Sequence, residues 1–115
     1  WVIGDSALVG HWDGQSWTDR PTAVFASNDL SAIATVTAAR GLGLTVPDDL
    51  SVIGFDNVPE SAMASPPLTT IKQPLQQMGA EALTLLIDLI AGVERDIHVR
   101  LPTELVVRAS CTPPR

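Results

Sequence analysis

With 115 residues the chain is long enough for one domain that buries roughly two thirds of its unfolded surface. An apolar fraction of 45% beside 17% charged residues excludes the disordered class, and a formal charge of -6 opposes a grip on phosphate backbones or anionic lipid by this chain. The single cysteine, Cys111, excludes a framework of internal disulfides, and no stretch approaches the roughly 20 apolar residues of a membrane span.

The chain opens on Trp1, which reads as a fragment of a longer protein, and no signal peptide is evident. Residues 1 to 20, with Trp1, Trp12 and Trp17 among Gly4, Gly10 and Gly14, read as a short strand at Trp1 to Ile3 followed by loop, a poorly defined segment ahead of one lobe at 21 to 115. Thr22 to Ala26 is a continuous apolar run of strand length, as expected of a strand covered on both faces. A helix should follow, capped by Asn28 or Asp29, with Leu30, Ile33, Ala34, Thr37 and Ala38 as its apolar positions and Gly41 or Gly43 as its stop.

After a turn at Val46 to Asp49, Leu50 to Phe55 reads as a second buried strand ending in Asp56. Pro59, Pro66 and Pro67 make 57 to 67 irregular or an interrupted helix, and Thr69 to Gln73 is a short extended segment before Pro74. The clearest helix spans Leu75 to Ala91, with Met78, Ala82, Leu85, Leu86, Leu89 and Ile90 on one stripe, expected to be core, and Gly92 at its end. Strands are expected at Ile97 to Leu101 and Leu105 to Ala109, around Pro102. Strands alternating with helices predict an α/β, three-layer Rossmann-like lobe with a mostly parallel sheet, whose ligand crevice lies beyond the carboxyl ends of the strands.

Two polar turns fall on that edge, Ser27-Asn28-Asp29 and Gly54-Phe55-Asp56-Asn57. Capping is the commoner use of Asn28 and Asp29, though one of the pair can cap while the other faces a ligand. The Asp56 carboxylate can accept from two neighbouring sugar hydroxyls, and it is equally an ordinary turn residue. Gln73 offers an amide that donates and accepts, a group more often turned to solvent. His11 and His98 stand far apart without companion ligands, so no metal or cofactor is expected. The glycines of Arg40 to Val46 follow a helix rather than a strand and lack the third glycine of a dinucleotide fingerprint. No nucleophile elbow is present and Cys111 has no nearby base, so the chain reads as a non-enzyme; a hydrolase or phosphatase using Asp56 would need a basic or metal cluster that is not evident.

Four ordered stretches, Pro21-Thr-Ala-Val-Phe-Ala-Ser-Asn-Asp-Leu30, Val46-Pro-Asp-Asp-Leu-Ser-Val-Ile-Gly-Phe-Asp56, Pro66-Pro-Leu-Thr-Thr-Ile-Lys-Gln-Pro74 and Leu101-Pro-Thr-Glu-Leu-Val-Val-Arg-Ala-Ser110, resemble the lactose and galactose repressor (LacI/GalR) family of transcription regulators. The resemblance covers about residues 20 to 112. It implies the C-terminal subdomain of a two-lobed fold like that of type I periplasmic binding proteins, with a small-molecule effector, a sugar above all, held between the lobes of a cytoplasmic homodimer. DNA would be contacted only by a helix-turn-helix domain outside this chain. By the same resemblance Asn28, Asp56 and, less directly, Gln73 contact ligand, while Asp29 is structural. Dimer contacts fall at Ile33, Val36, Thr37, Ala62, Met63, Ala64 and Ser65. Relatives carry a full helix before the strand at Thr22, whereas too few residues follow Gly4-Asp5-Ser6 here to form one. A lobe of a periplasmic sugar-binding transport protein is the alternative of similar fold.

Overall fold

The computed structural model describes residues 2 to 3, 9 to 12, 17 to 18 and 22 to 113. Three short strands, β1 (Val2–Ile3), β2 (Val9–Trp12) and β3 (Trp17–Thr18), pair antiparallel in that order. Two of them lie where the sequence reads as loop; the rest of that segment, including the residues around Gly4-Asp5-Ser6, falls outside the described residues.

From Thr22 onward the order is β4 (Ala23–Phe25), α1 (Asp29–Gly41), β5 (Ser51–Ile53), α2 (Pro59–Met63), β6 (Thr70–Lys72), α3 (Leu75–Ile90) and β7 (Glu104–Val106). β4 and β5 run parallel, with Val24 opposite Val52, and β5 continues in parallel bridges to β6 through Ile53 with Thr69 and Asp56 with Lys72. β7 closes on β6 antiparallel. β5 is buried as expected, but β4 is not covered on both faces, because Ala23 and Phe25 are exposed.

α1 begins at Asn28, whose Oδ1 accepts from the Ser31 amide at 2.8 Å, and it ends in paired bonds from Leu44 N to Ala39 O and Gly43 N to Arg40 O. Gly43 takes φ +78, the left-handed turn that this helix ending requires, so it rather than Gly41 is the stop. The helix buries Ala32, Val36 and Ala39 against β5. The expected stripe of Leu30, Ile33, Ala34, Thr37 and Ala38 is therefore rotated off the core: Leu30 is 65% exposed, and of these five only Ile33 packs against it. Small side chains decide this, since alanines allow the helix to approach β5 closely and a leucine on that face would hold it off. The core they form is Ala26, Ala32, Val36, Ala39, Leu50, Val52 and Leu68.

Pro59 opens α2 at its first turn, where its missing N–H costs nothing, and the prolines at 66 and 67 prevent extension. α3 forms over the expected span and ends at Gly92, φ +71. Its stripe is not core, however: none of its residues is buried, and Leu86 and Leu89 are 53% and 56% exposed. Arg95 reaches back along it to Glu81 at 2.7 Å and Asp88 at 2.8 Å. Ile97 to Leu101 forms no strand, because no neighbouring strand pairs with it and Ile97 and Val99 remain exposed. No helix among the described residues is long and apolar enough to cross a membrane.

Leu68 is fully buried while Leu86 is not. Leu68→Ala is expected to cost about 2–5 kcal/mol. Leu86→Ala in the same chain should stay within about 0.5 kcal/mol, both read from urea unfolding midpoints at constant slope.

Candidate functional site

The parallel pairing of β4 with β5 brings the two polar turns side by side. Beyond the ladder, Ala26 N donates to Ile53 O and Asp29 N to Phe55 O, each at 2.8 Å, so the chains leave the sheet at one level. Asn28 Oδ1 is engaged in capping, accepting from both the Ser31 amide and the Ser31 hydroxyl. Asp29, the first residue of α1, is fully buried. Its Oδ1 accepts from Thr70 Oγ1 and its Oδ2 from Val58 N at 2.8 Å. One carboxylate thus ties the start of α1 to β6 and to the turn after β5, and a negative group is favoured at a helix N-terminus.

That turn has an unusual backbone. Asp56 and Asn57 take φ of 116° and 59°, values that glycine adopts freely and other residues hold only under constraint, at about 1–3 kcal/mol each. The constraints are visible: Asp56 N donates to Ile71 O at 2.9 Å, Val58 N to Asp29, and the guanidinium of Arg108 to Asn57 Oδ1 at 2.8 Å. The turn aims Asp56 toward β6, where Gln73 Nε2 donates to Asp56 Oδ1 at 2.6 Å.

Asp56 and Gln73 share the wall of an open cavity of about 470 Å³ with Asn57, Lys72, Gln76 and Gln77. Beside the apolar Pro74 and Leu75, which complete the wall, these are amides, one carboxylate and one ammonium, a set that can both accept from and donate to hydroxyl groups. Asn28 does not line the cavity; it stands at the neighbouring turn. Among the described residues no three His, Cys, Asp or Glu side chains converge as metal ligands. A smaller hollow of about 180 Å³, with Val36, Leu44, Val46 and Pro66 in its wall, lies at the far end of α1 and holds no acid or amide side chain.

Of the residues expected at a dimer contact, Thr37, Ala62, Met63 and Ser65 are exposed, Met63 at 76%, and α1 and α2 lie in contact. Ile33 and Ala64 are half-buried against the core. Val36 is a core residue, 6% exposed, and is the one position of the expected contact that the fold turns inward. Sequence reasoning missed Arg108, Thr70 and Ser61, which build the site from behind. The only available signal was a lone arginine inside the alternating pattern of Leu105 to Ala109.

The periplasmic binding protein-like domain family matches residues 3 to 111. Over 105 residues the chain is 44% identical to the HTH-type transcriptional repressor PurR of Vibrio vulnificus, a match covering 90% of this chain and 31% of that repressor. Among solved structures, the transcriptional regulator CelR in complex with cellobiose superposes with a TM-score of 0.72 at 39% identity, over 77% of this chain and 28% of that one. The lac repressor dimer bound to operator and the anti-inducer ONPF superposes with a TM-score of 0.74 at 36% identity, over 80% and 32%. The chain spans under a third of the length of each of these relatives.

The two turns come closest at Gly54. A Cβ there would run into Asp29 Oδ1 and lie 2.8 Å from Leu68 Cδ2 and 3.2 Å from the Asp29 Cα. Gly54→Ala is expected to lower stability by roughly 1–3 kcal/mol through this overpacking. Urea titration checks it, and a variant as stable as the parent would mean that Asp29 can retreat without cost.

Proposed function

The chain belongs to the periplasmic binding protein-like domain family, in the form carried by LacI/GalR-type transcriptional regulators, and on that premise we propose that it is the C-terminal lobe of a sensor for a small carbohydrate in a repressor. The observation that carries the reading is Asp56, held at the end of β5 with the Gln73 amide across the wall of a cavity of about 470 Å³. A carboxylate paired with an amide suits vicinal hydroxyls, the carboxylate accepting from two of them through charge-assisted bonds. Asp56 and Gln73 are the main contacts in this lobe. The Asn28 side-chain NH2, free of the capping bonds made by its oxygen, is a third contact, a donor from the adjacent turn, and Asp29 serves structure.

A first lobe, lying outside this chain, closes the cleft from the other side and covers the apolar side chains of α3. Of the three-layer, mostly parallel lobe expected from the sequence, the described residues form the parallel β4–β5 pair, its parallel bridges to β6 and an antiparallel β7, and the rest of that layering stays part of this proposal. The DNA contacts lie in a further domain and the whole works in the cytoplasm as a homodimer, with Ile33, Thr37 and the segment Ala62 to Ser65 facing the second subunit. Effector binding shifts the balance between two lobe arrangements, and the difference in affinity for the two sets the size of the response.

Operator release by the whole regulator, measured over a panel of saccharides that includes cellobiose, tests the reading. Asp56→Ala should abolish the response while leaving the unfolding midpoint in place; an unchanged dose response removes Asp56 from the site. Calorimetry of the 115-residue chain alone should give weak binding at best, since it offers only one wall of the cleft, and submicromolar affinity would contradict the split site.

A further inference from the structure

Arg108 stands just beyond β7, half-buried, and among the described residues it forms no ion pair. Among the described residues its guanidinium donates to neutral oxygens alone: Nη1 to Ser61 Oγ at 2.9 Å and to Leu68 O at 2.8 Å, and Nη2 to Asn57 Oδ1 at 2.8 Å. A partly buried cation without a counter-charge is costly. What an arginine supplies here is its planar fork, which addresses several acceptors in fixed directions. The three acceptors come from three segments: the turn after β5, α2, and the stretch entering β6.

The fork encloses the turn. Ser61 Oγ, which accepts from Arg108, donates in its own direction to Val58 O at 2.7 Å, so Arg108 grips the side chain of Asn57 directly and the carbonyl of Val58 through Ser61. The backbone of Arg108 is itself fixed, its N–H donating to Thr69 Oγ1 at 2.9 Å. The residues so held are Asn57, itself one of the two left-handed positions, and Val58, which follows it; the other left-handed position, Asp56, directly precedes them.

We propose that Arg108 is a positioning residue for the effector site, holding the turn at Asp56 and Asn57 in its left-handed form so that Asp56 faces the cavity. The proposal rests on the reading of Asp56 as a ligand contact. Its test needs no ligand, so the two can fail separately.

Amide hydrogen exchange of the 115-residue chain reads the turn directly. Arg108→Gln should speed exchange at the Asp56 and Val58 amides by at least about tenfold, the least expected from losing a hydrogen bond to a charged donor. The Ala26 and Ser51 amides, which donate to Ile53 O and Thr22 O away from Arg108, should stay within about twofold. Adding Asn57→Gly, which removes the Cβ penalty of left-handed backbone, should restore most of the protection at Asp56 and Val58. Uniform acceleration across the sheet, unchanged exchange in the turn, or failure of the glycine to rescue would each overturn the proposal. If Arg108→Gln does not fold, Arg108→Lys carries the test, because it keeps the charge and stem but lacks the fork. Wild-type exchange in the lysine variant would assign the effect to charge and refute the positioning role.

Discussion

The buried carboxylate of Asp29 is the joint on which the edge bearing the two polar turns depends. It sits at the first turn of α1, yet its oxygens accept from β6 and from the turn after β5, so three segments far apart in sequence meet on one side chain. Left without these donors a buried carboxylate would be strongly destabilising, and with them it fixes the distance between helix and sheet. Gly54 is the complementary requirement, because the space a side chain would take there is occupied by Asp29.

Small residues extend the same logic along α1. Ala32, Val36 and Ala39 let the helix lie close on β5, which draws its N-terminus and the capping Asn28 to the level at which β5 ends. The polar turns are neighbours because the packing behind them is tight. A second layer of support comes from Ser110, whose hydroxyl accepts from Thr69 N and donates to Val52 O, joining the tail to β5 and to the strand entering β6. The two turns are thus held in place by buried side chains, Asp29, Thr70 and Ser110, that do not line the cavity.

Much of this was legible in the sequence where local chemistry decides. The strand at Leu50 to Phe55, a helix cap at Asn28 or Asp29, the helix from Leu75 and its glycine stop all follow from pattern and turn residues. The buried face of α1 was not legible, because a helix of alanines and threonines presents several equivalent faces and contact with β5 chooses among them. The stripe on α3 reads as core by periodicity, yet periodicity cannot say which body covers it, and nothing among the described residues does. Asp56 was recognisable as a polar strand end. Its left-handed backbone and the bond from Arg108 to Asn57 were not, since the contacts around this turn reach across 29 and 51 residues of sequence.

The pairing of Lys72 with Glu104 has a mechanical meaning. The chain leaves the sheet at β6 and re-enters beside it at β7, so everything between, α3 included, hangs from a neck two strands wide. Gln73 lies at the root of that neck and is bonded to Asp56. α3 has 16 residues and at 1.5 Å per residue is a rod of about 24 Å, so a tilt of about 10° at the neck carries its far end about 4 Å.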